Sequence, residues 1–505
     1  MLRRVERPDF HIDEKDAAVR IADAEFPVPF AHRLEFNAPV HGTWNIVHIG
    51  LMVPECHQIY VCADNCMRGV VLTAAEMGAG DRFSSVLIEE NDLYDQNLET
   101  ITIEGVSDVI HRLPYRPRAV TVFLVGLHHF VGTDAAFVFK TLEERFPDID
   151  FMRCWMDPVM QKTGLTPEQK LKESMFRPVR PLPVDPGLVC VLGDNQALDP
   201  DSDIAQTVRE AGGRILQLND WKKHGERIGI SYLRKAVTDK EAQEAYSFMV
   251  PCENYDDYLR IGSAGLFITR SPLGVHGVYQ LAKRLGRPFL YLPPVCGEDR
   301  IRQELSKLRS ALSDNLQQTA GTAETSGTAW TDAGEPDAAE TNHLAGSIRD
   351  ESSASKALQH ALGLIGDTEI TIDYILNPRV LSLARRLLEA GFHVTRVYLD
   401  AILPEEEEDF LWLQKNCPDL ILNATIHPKM RVLHNAENEG KMLALGPKAA
   451  WFGGTAHFVN LVDYGGLWGD SGIKKLAALM EDAWLHEKDT RSIVPRKGQG
   501  CACVL

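Results

Sequence analysis

The sequence lacks what a membrane, secreted or nucleic-acid-binding protein needs. No apolar run among its 505 residues is long enough to cross a bilayer. The opening stretch, MLRRVERPDFHIDEKD, has basic residues but no apolar segment behind them, so it does not read as a secretory signal. Positive charge is in deficit: 53 Lys and Arg against 71 Asp and Glu leave a net charge of −18. So acidic a chain argues against nucleic acid or an anionic membrane as main partner. No strand-like run is followed by G-x-G-x-x-G, so dinucleotide binding is unsupported. The expected location is the cytoplasm, where thiols stay reduced and disulfide staples are disfavoured. The tail CACVL misses the prenylation pattern, which needs Cys where Ala502 stands.

What is present is ordinary globular composition, 44% hydrophobic and 25% charged, at a length that implies several domains. Continuous apolar runs alternate with amphipathic stretches. Ala119–Val125 (AVTVFLV), LVCVLGDN from Leu188, AGLFITRS, and FHVTRVYLD read as strands buried on both faces. DSDIAQTVREAGG, GVYQLAKRLG and PRVLSLARRLLEAG read as the helices between them. Strand–helix alternation implies parallel sheets with right-handed crossovers. The expected fold is α/β, with three Rossmann-like domains. The expected division is an N-terminal extension (1–40), domain I with a cysteine loop (41–185) and domain II (186–310). A low-complexity insertion (311–356), domain III (357–485) and a C-terminal tail (486–505) follow. The insertion, rich in Ala, Thr, Ser, Gly and acid, cannot bury enough surface to offset its ordering entropy. AAWFGG is expected to close the third set, and PEEEEDF (Pro404–Phe410) reads as a solvated helix start.

Three of the ten cysteines crowd into VPECHQIYVCADNCMRG, read as a loop. Asp64 or Asn65 is a good N-cap, and CMRGVVLTAAEMG is helical in pattern up to Gly78. That places Cys66 in a first helical turn, where the helix dipole lowers a thiol's pKa. Thiolates are what soft metals and iron–sulfur clusters bind. The spacing C-x5-C-x3-C matches neither a zinc ribbon nor a bacterial ferredoxin. Cys56 and Cys62 therefore read either as ligands beside Cys66 or as small buried apolar residues. His128 and His129 follow the strand Ala119–Val125, at the carboxyl end where ligands bind such sheets. Packing and helix capping are the alternative reading for this pair, and for His427 and His457 in domain III.

Several segments together resemble the component 1 proteins of nitrogenase and their relatives, which include the catalytic subunits of protochlorophyllide and chlorophyllide reductases. IYVCADNCMRGVVL resembles the family's cysteine loop, with Cys66 at the matching Cys. VFLVGLHHFVGTD resembles its strand and Cys-bearing turn. GLFITRSPLGVHGVYQLAKRLGRPFLYLPP and VDYGGLWGDSGIKKLAALMEDAW resemble second- and third-domain segments. The resemblance implies three domains around a central cleft, a paralogous partner subunit in a dimer or heterotetramer, and an ATP-dependent iron–sulfur reductase as electron donor. It implies a [4Fe–4S]-type iron–sulfur cluster held by Cys66, Cys62 and Cys56, with His128 or His129 as substitutes, passing electrons to a small-molecule substrate. In the family a second metallocofactor can sit near the centre; no residue pair here matches its ligands. One departure is plain: Gly126 stands where the third cysteine is expected. That keeps open the reading of a non-redox binding protein that has lost the cluster; an assembly scaffold for a metallocluster is a further alternative.

Overall fold

The computed structural model describes residues 17–30, 46–64, 67, 70–71, 74, 79–95, 97–156, 165–218, 247–250, 252–320, 352–425 and 441–488. Among these residues the strands form three sheets.

Sheet I runs β3-β2-β4-β5, all parallel, with β2 at Cys56–Cys62, β3 at Phe83–Leu87, β4 at Ala119–Val125 and β5 at Asp150–Met156. β2 and β4 lie in its middle and every one of their residues is buried. Odd-numbered β2 positions such as Ile59 and Val61 pack under the helices Leu98–Arg112 and Ala135–Arg145. Even-numbered ones such as Cys56, Tyr60 and Cys62 face a second core shared with domain II. In Ala135–Arg145, Phe139 and Leu142 are buried, whereas Phe137 is exposed.

Sheet II runs β10-β9-β6-β7-β8, again parallel: β6 at Asp185–Val191, β7 at Arg214–Gln217, β8 at Met249–Val250, β9 at Ala264–Thr269 and β10 at Phe289–Tyr291. Sheet III runs β1-β13-β12-β11-β14-β15, with β11 at Ile370–Asp373, β12 at Val394–Leu399, β13 at Ile421–Ala424, β14 at Leu443–Leu445 and β15 at Phe458–Val459. Its edge strand β1, Ala18–Arg20, pairs antiparallel with β13, so part of the N-terminal segment belongs to the third sheet. Sheets II and III share one continuous core.

Three local expectations are corrected. AAWFGG lies in a helix, Pro447–Gly453, between β14 and β15; proline at its start and two glycines at its end bound those roughly two turns. The helix Glu298–Ala320 runs into the segment expected to be unstructured, because Leu312 is buried and Asn315 donates to the Pro186 carbonyl. Ser352 caps the next helix, Ser353–Ile365. The acid run is only partly solvated: Glu406 is buried and accepts from the Leu381 and Ser382 amides, and buried Asp409 pairs with Arg300.

Candidate functional site

The cysteine segment is mostly strand, not loop. Cys56 opens β2 and Cys62 closes it. Six steps of extended chain separate them by about 20 Å, so one cluster cannot contact both. Cys56 lies at the amino end of the sheet, 1% exposed, its Sγ 3.3 Å from Thr121 Oγ1. The strand was hidden in the sequence by His57 and Gln58, polar residues that are both buried. His57 is held between Tyr115 Oη (2.7 Å) and Ser84 Oγ (2.8 Å), and burial pushes its pKa down to about 4.

Cys62 stands at the carboxyl edge. Val61 is opposite Leu124, so Cys62 lies beside Val125, and Gly126 follows on the neighbouring strand. Asp64, Met67, Val70, Val71 and Ala74 are helical, in keeping with a helix after Cys62. Cys66 itself lies outside the described residues, as does His427. Gly126 opens the short helix Gly126–Phe130 without strain; a Cβ there would meet only the Phe130 ring, at 3.7 Å.

His128 is committed to the fold. The Val125 amide donates to its Nδ1 (3.3 Å), which fixes the hydrogen on Nε2, facing Thr102 Oγ1 at 3.2 Å. Burial pushes its pKa down to about 4, so it is a neutral ring engaged at both nitrogens. His129 is exposed, edge-on to Trp155. His457 is taken up by the Ala483 carbonyl, to which Nδ1 donates at 3.0 Å. Cys296 is fully buried, its thiol pushed up to about 12. Among the described residues, no three His, Cys, Asp or Glu side chains gather in a way that could hold a metal ion. Cys62 is one buried thiol where a [4Fe–4S] cluster takes four donors, so the described residues alone do not fit that group.

A second constellation went unread in the sequence. It forms where the helix Pro167–Ser174, leaving domain I, meets the carboxyl ends of β6 and β9. Thr166 caps that helix and proline takes its first position. One helical turn then aligns Glu168 and Lys172 as an ion pair at 2.7 Å, 3% and 1% exposed. Asn195 donates to Glu168 Oε1 (3.0 Å), while Glu168 Oε2 and Lys172 Nζ make no hydrogen bond among the described residues. The helix Val275–Leu285 closes over them at Gly277, where a Cβ would lie 2.7 Å from the Lys172 carbonyl.

Beside this pair, the exits of β6 and β9 touch through glycines. Gly193 has φ +77°, and a Cβ there would lie 2.8 Å from Gly274 Cα. The turn after β6 presents Asp194. It accepts from the Arg270 amide (3.1 Å) and, loosely, from Arg270 Nε (3.4 Å). Burial pushes the Asp194 carboxyl up, with Arg270 opposing that shift. Arg270 Nη2 donates to the Gln196 carbonyl at 2.7 Å. Asp194, Arg270 and Ser271, facing Pro378 and Tyr464 of domain III, wall a cavity of about 20 Å³. The lone sequence signals were the strand exits LGDN and TRSPLG; the partners lie too far apart in the chain to be paired by eye.

No protein-family model matches the chain, and no curated relative matches it by sequence. Solved structures do. Nitrogenase Cp1 at pH 6.5 superposes with a TM-score of 0.58 at 12% identity, covering 96% of this chain and 95% of that one. Nitrogenase Cp1 at pH 5 gives a TM-score of 0.50 at 11% identity, covering 93% and 94%. The chain has a nitrogenase-like α/β fold. Identity this low establishes fold alone, and function has to be argued from the site. Among the described residues no helix is long and apolar enough to cross a membrane.

Proposed function

We propose that the chain is a catalytic-component subunit of a nitrogenase-like oxidoreductase whose small-molecule substrate binds at the three-domain junction. The supporting observation is the coincidence of an end-to-end nitrogenase-like fold with a buried, incompletely paired ionic cluster at the carboxyl ends of domain II strands. That edge is where open parallel sheets bind ligands. Electrons would enter at the carboxyl edge of sheet I. Cys62 and Cys66 would supply part of an iron–sulfur site, completed by a paralogous subunit and supplied with electrons by an ATP-dependent reductase. Exposed apolar side chains on the segments leaving that edge fit a subunit contact: Val71, Leu87, Tyr94, Phe130 and Phe137. Tyr94 and Phe130 are 77% and 79% exposed, unusual for residues of that size without a partner.

The test is anaerobic co-purification with the paralogous subunit, followed by iron and sulfide analysis. The expected result is iron that falls away, with its visible absorption, in Cys62→Ser and Cys66→Ser. Iron-free protein, or iron indifferent to both substitutions, ends the electron-transfer reading. A second reading, a non-redox binding protein on the same fold, is favoured by Gly126 and by the engagement of both His128 nitrogens. It expects a colourless complex that still binds a small molecule at the junction.

A further inference from the structure

A second metallocofactor at the centre of the molecule would need soft or borderline donors, thiolate or imidazole. The junction cavity offers none among its described lining residues, which present carboxyl, amide, guanidinium and hydroxyl groups between proline and leucine walls. The donor set does not fit a metallocofactor. It fits something else.

Arg270 carries five N–H donors in a rigid fork. One goes to Gln196 O and one, loosely, to Asp194; Nη1 donates to nothing among the described residues. Its side chain is only 6% exposed, and it lines the cavity. A guanidinium almost wholly buried, with spare donors opening on a cavity, can give those donors to a ligand at little cost. A second buried cation, Lys172, stands behind the same turn without an aligned acceptor. The cavity, about 20 Å³, has room for about one or two waters, and so for a ligand of only a few heavy atoms.

We infer that the junction binds a small planar oxyanion directly on protein side chains, gripped by the free arm of the Arg270 fork. Guanidinium forks match carboxylate-like geometry with two parallel hydrogen bonds. The ligand class is formate, nitrite or a similarly sized anion, not a macrocycle and not a metal cluster. Burial that disfavours the charged form of Asp194 works in the same direction, because it lessens the competition for Arg270. This inference deepens the proposed function by naming the ligand class of its substrate site. It rests on the junction being that site, not on the cluster.

The experiment titrates the purified full chain with formate, nitrite and inorganic phosphate by calorimetry, with iron measured on the same preparation. The expected result is saturable one-to-one binding of formate or nitrite, and none of bulkier tetrahedral phosphate. Arg270→Gln should weaken binding about tenfold or more, with partial recovery in Arg270→Lys. Ser271→Leu, which fills the cavity and keeps the arginine in the sequence, should abolish it and decides the matter if Arg270→Gln fails to fold. The surface variant Arg116→Gln should change nothing. No saturable binding to the parent chain, equal binding of phosphate, or binding that survives Ser271→Leu overturns the inference. Absence of iron alongside intact anion binding would count against the cluster and leave this site standing.

Discussion

Two carboxyl edges of one architecture have been used in opposite ways. The edge of sheet I is open on its outer side: Gly126 has room beside it and His129 and Phe130 face outward, while Cys62, its one described thiol, is buried towards the core shared with domain II. The edge of sheet II is closed: Gly193, Gly274 and Gly277 let backbones touch, and charged side chains are sealed beneath them. An open edge suits completion by another chain. A closed one suits a small ligand in a preformed, low-dielectric site, where each charge interaction is strengthened.

The largest expected effect tests the closed edge. Lys172→Met leaves Glu168 buried without its cation and should cost about 3–5 kcal/mol, read by urea unfolding. The double variant Glu168→Leu, Lys172→Met should recover much of that loss. If the single change costs under about 1 kcal/mol, in the range of exposed pairs, water reaches the junction and the contrast collapses.

Acid should act next, in domain I through its buried histidines. The folded pKa of His128, about 4, lies below the usual value of 6.5. Between those values the unfolded chain binds more protons, so stability rises with pH across the window. The contribution is fully present above 6.5 and lost as pH falls through 4, on the order of 3 kcal/mol at most. His57 has the same sign and window. The parent should therefore lose more unfolding free energy than His128→Gln as pH falls from 7.5 to 4, on top of the opposite slope from buried Glu406, whose carboxyl is pushed up to about 8. An unchanged slope in that variant would mean the ring is not held neutral between Val125 and Thr102.

Much of the fold was legible in the sequence, and the reason is burial on both faces. AVTVFLV, AGLFITRS and PRVLSLARRLLEAG announce themselves because parallel sheets need continuous apolar strands and amphipathic crossovers. β2 did not, because His57 and Gln58 are buried polar residues whose partners, Tyr115 and Ser84 for the histidine, are distant in sequence. The junction was less legible still. Glu168, Asp194, Arg270 and Tyr464 come from segments up to three hundred residues apart, and each looks like an ordinary surface residue until the chain is folded.

Two glycines bring the contrast to its finest scale. Gly277→Ala would push a methyl to 2.7 Å from the Lys172 backbone, an atom that cannot step aside. It should cost about 1–3 kcal/mol, despite the helix-propensity gain of alanine. Gly126→Ala meets only the rim of the Phe130 ring at 3.7 Å, in a helix start of ordinary geometry. Its effect should stay within about 0.5 kcal/mol. Thermal melts of the two variants side by side are the direct comparison. Comparable losses would mean the sheet I edge is packed as tightly as the junction, leaving no room for a second subunit to complete a site there. A silent Gly126→Ala next to a damaging Gly277→Ala would mean that glycine is present at the first edge without steric need, so a bulkier ligating side chain could have stood at Gly126 without disturbing the fold.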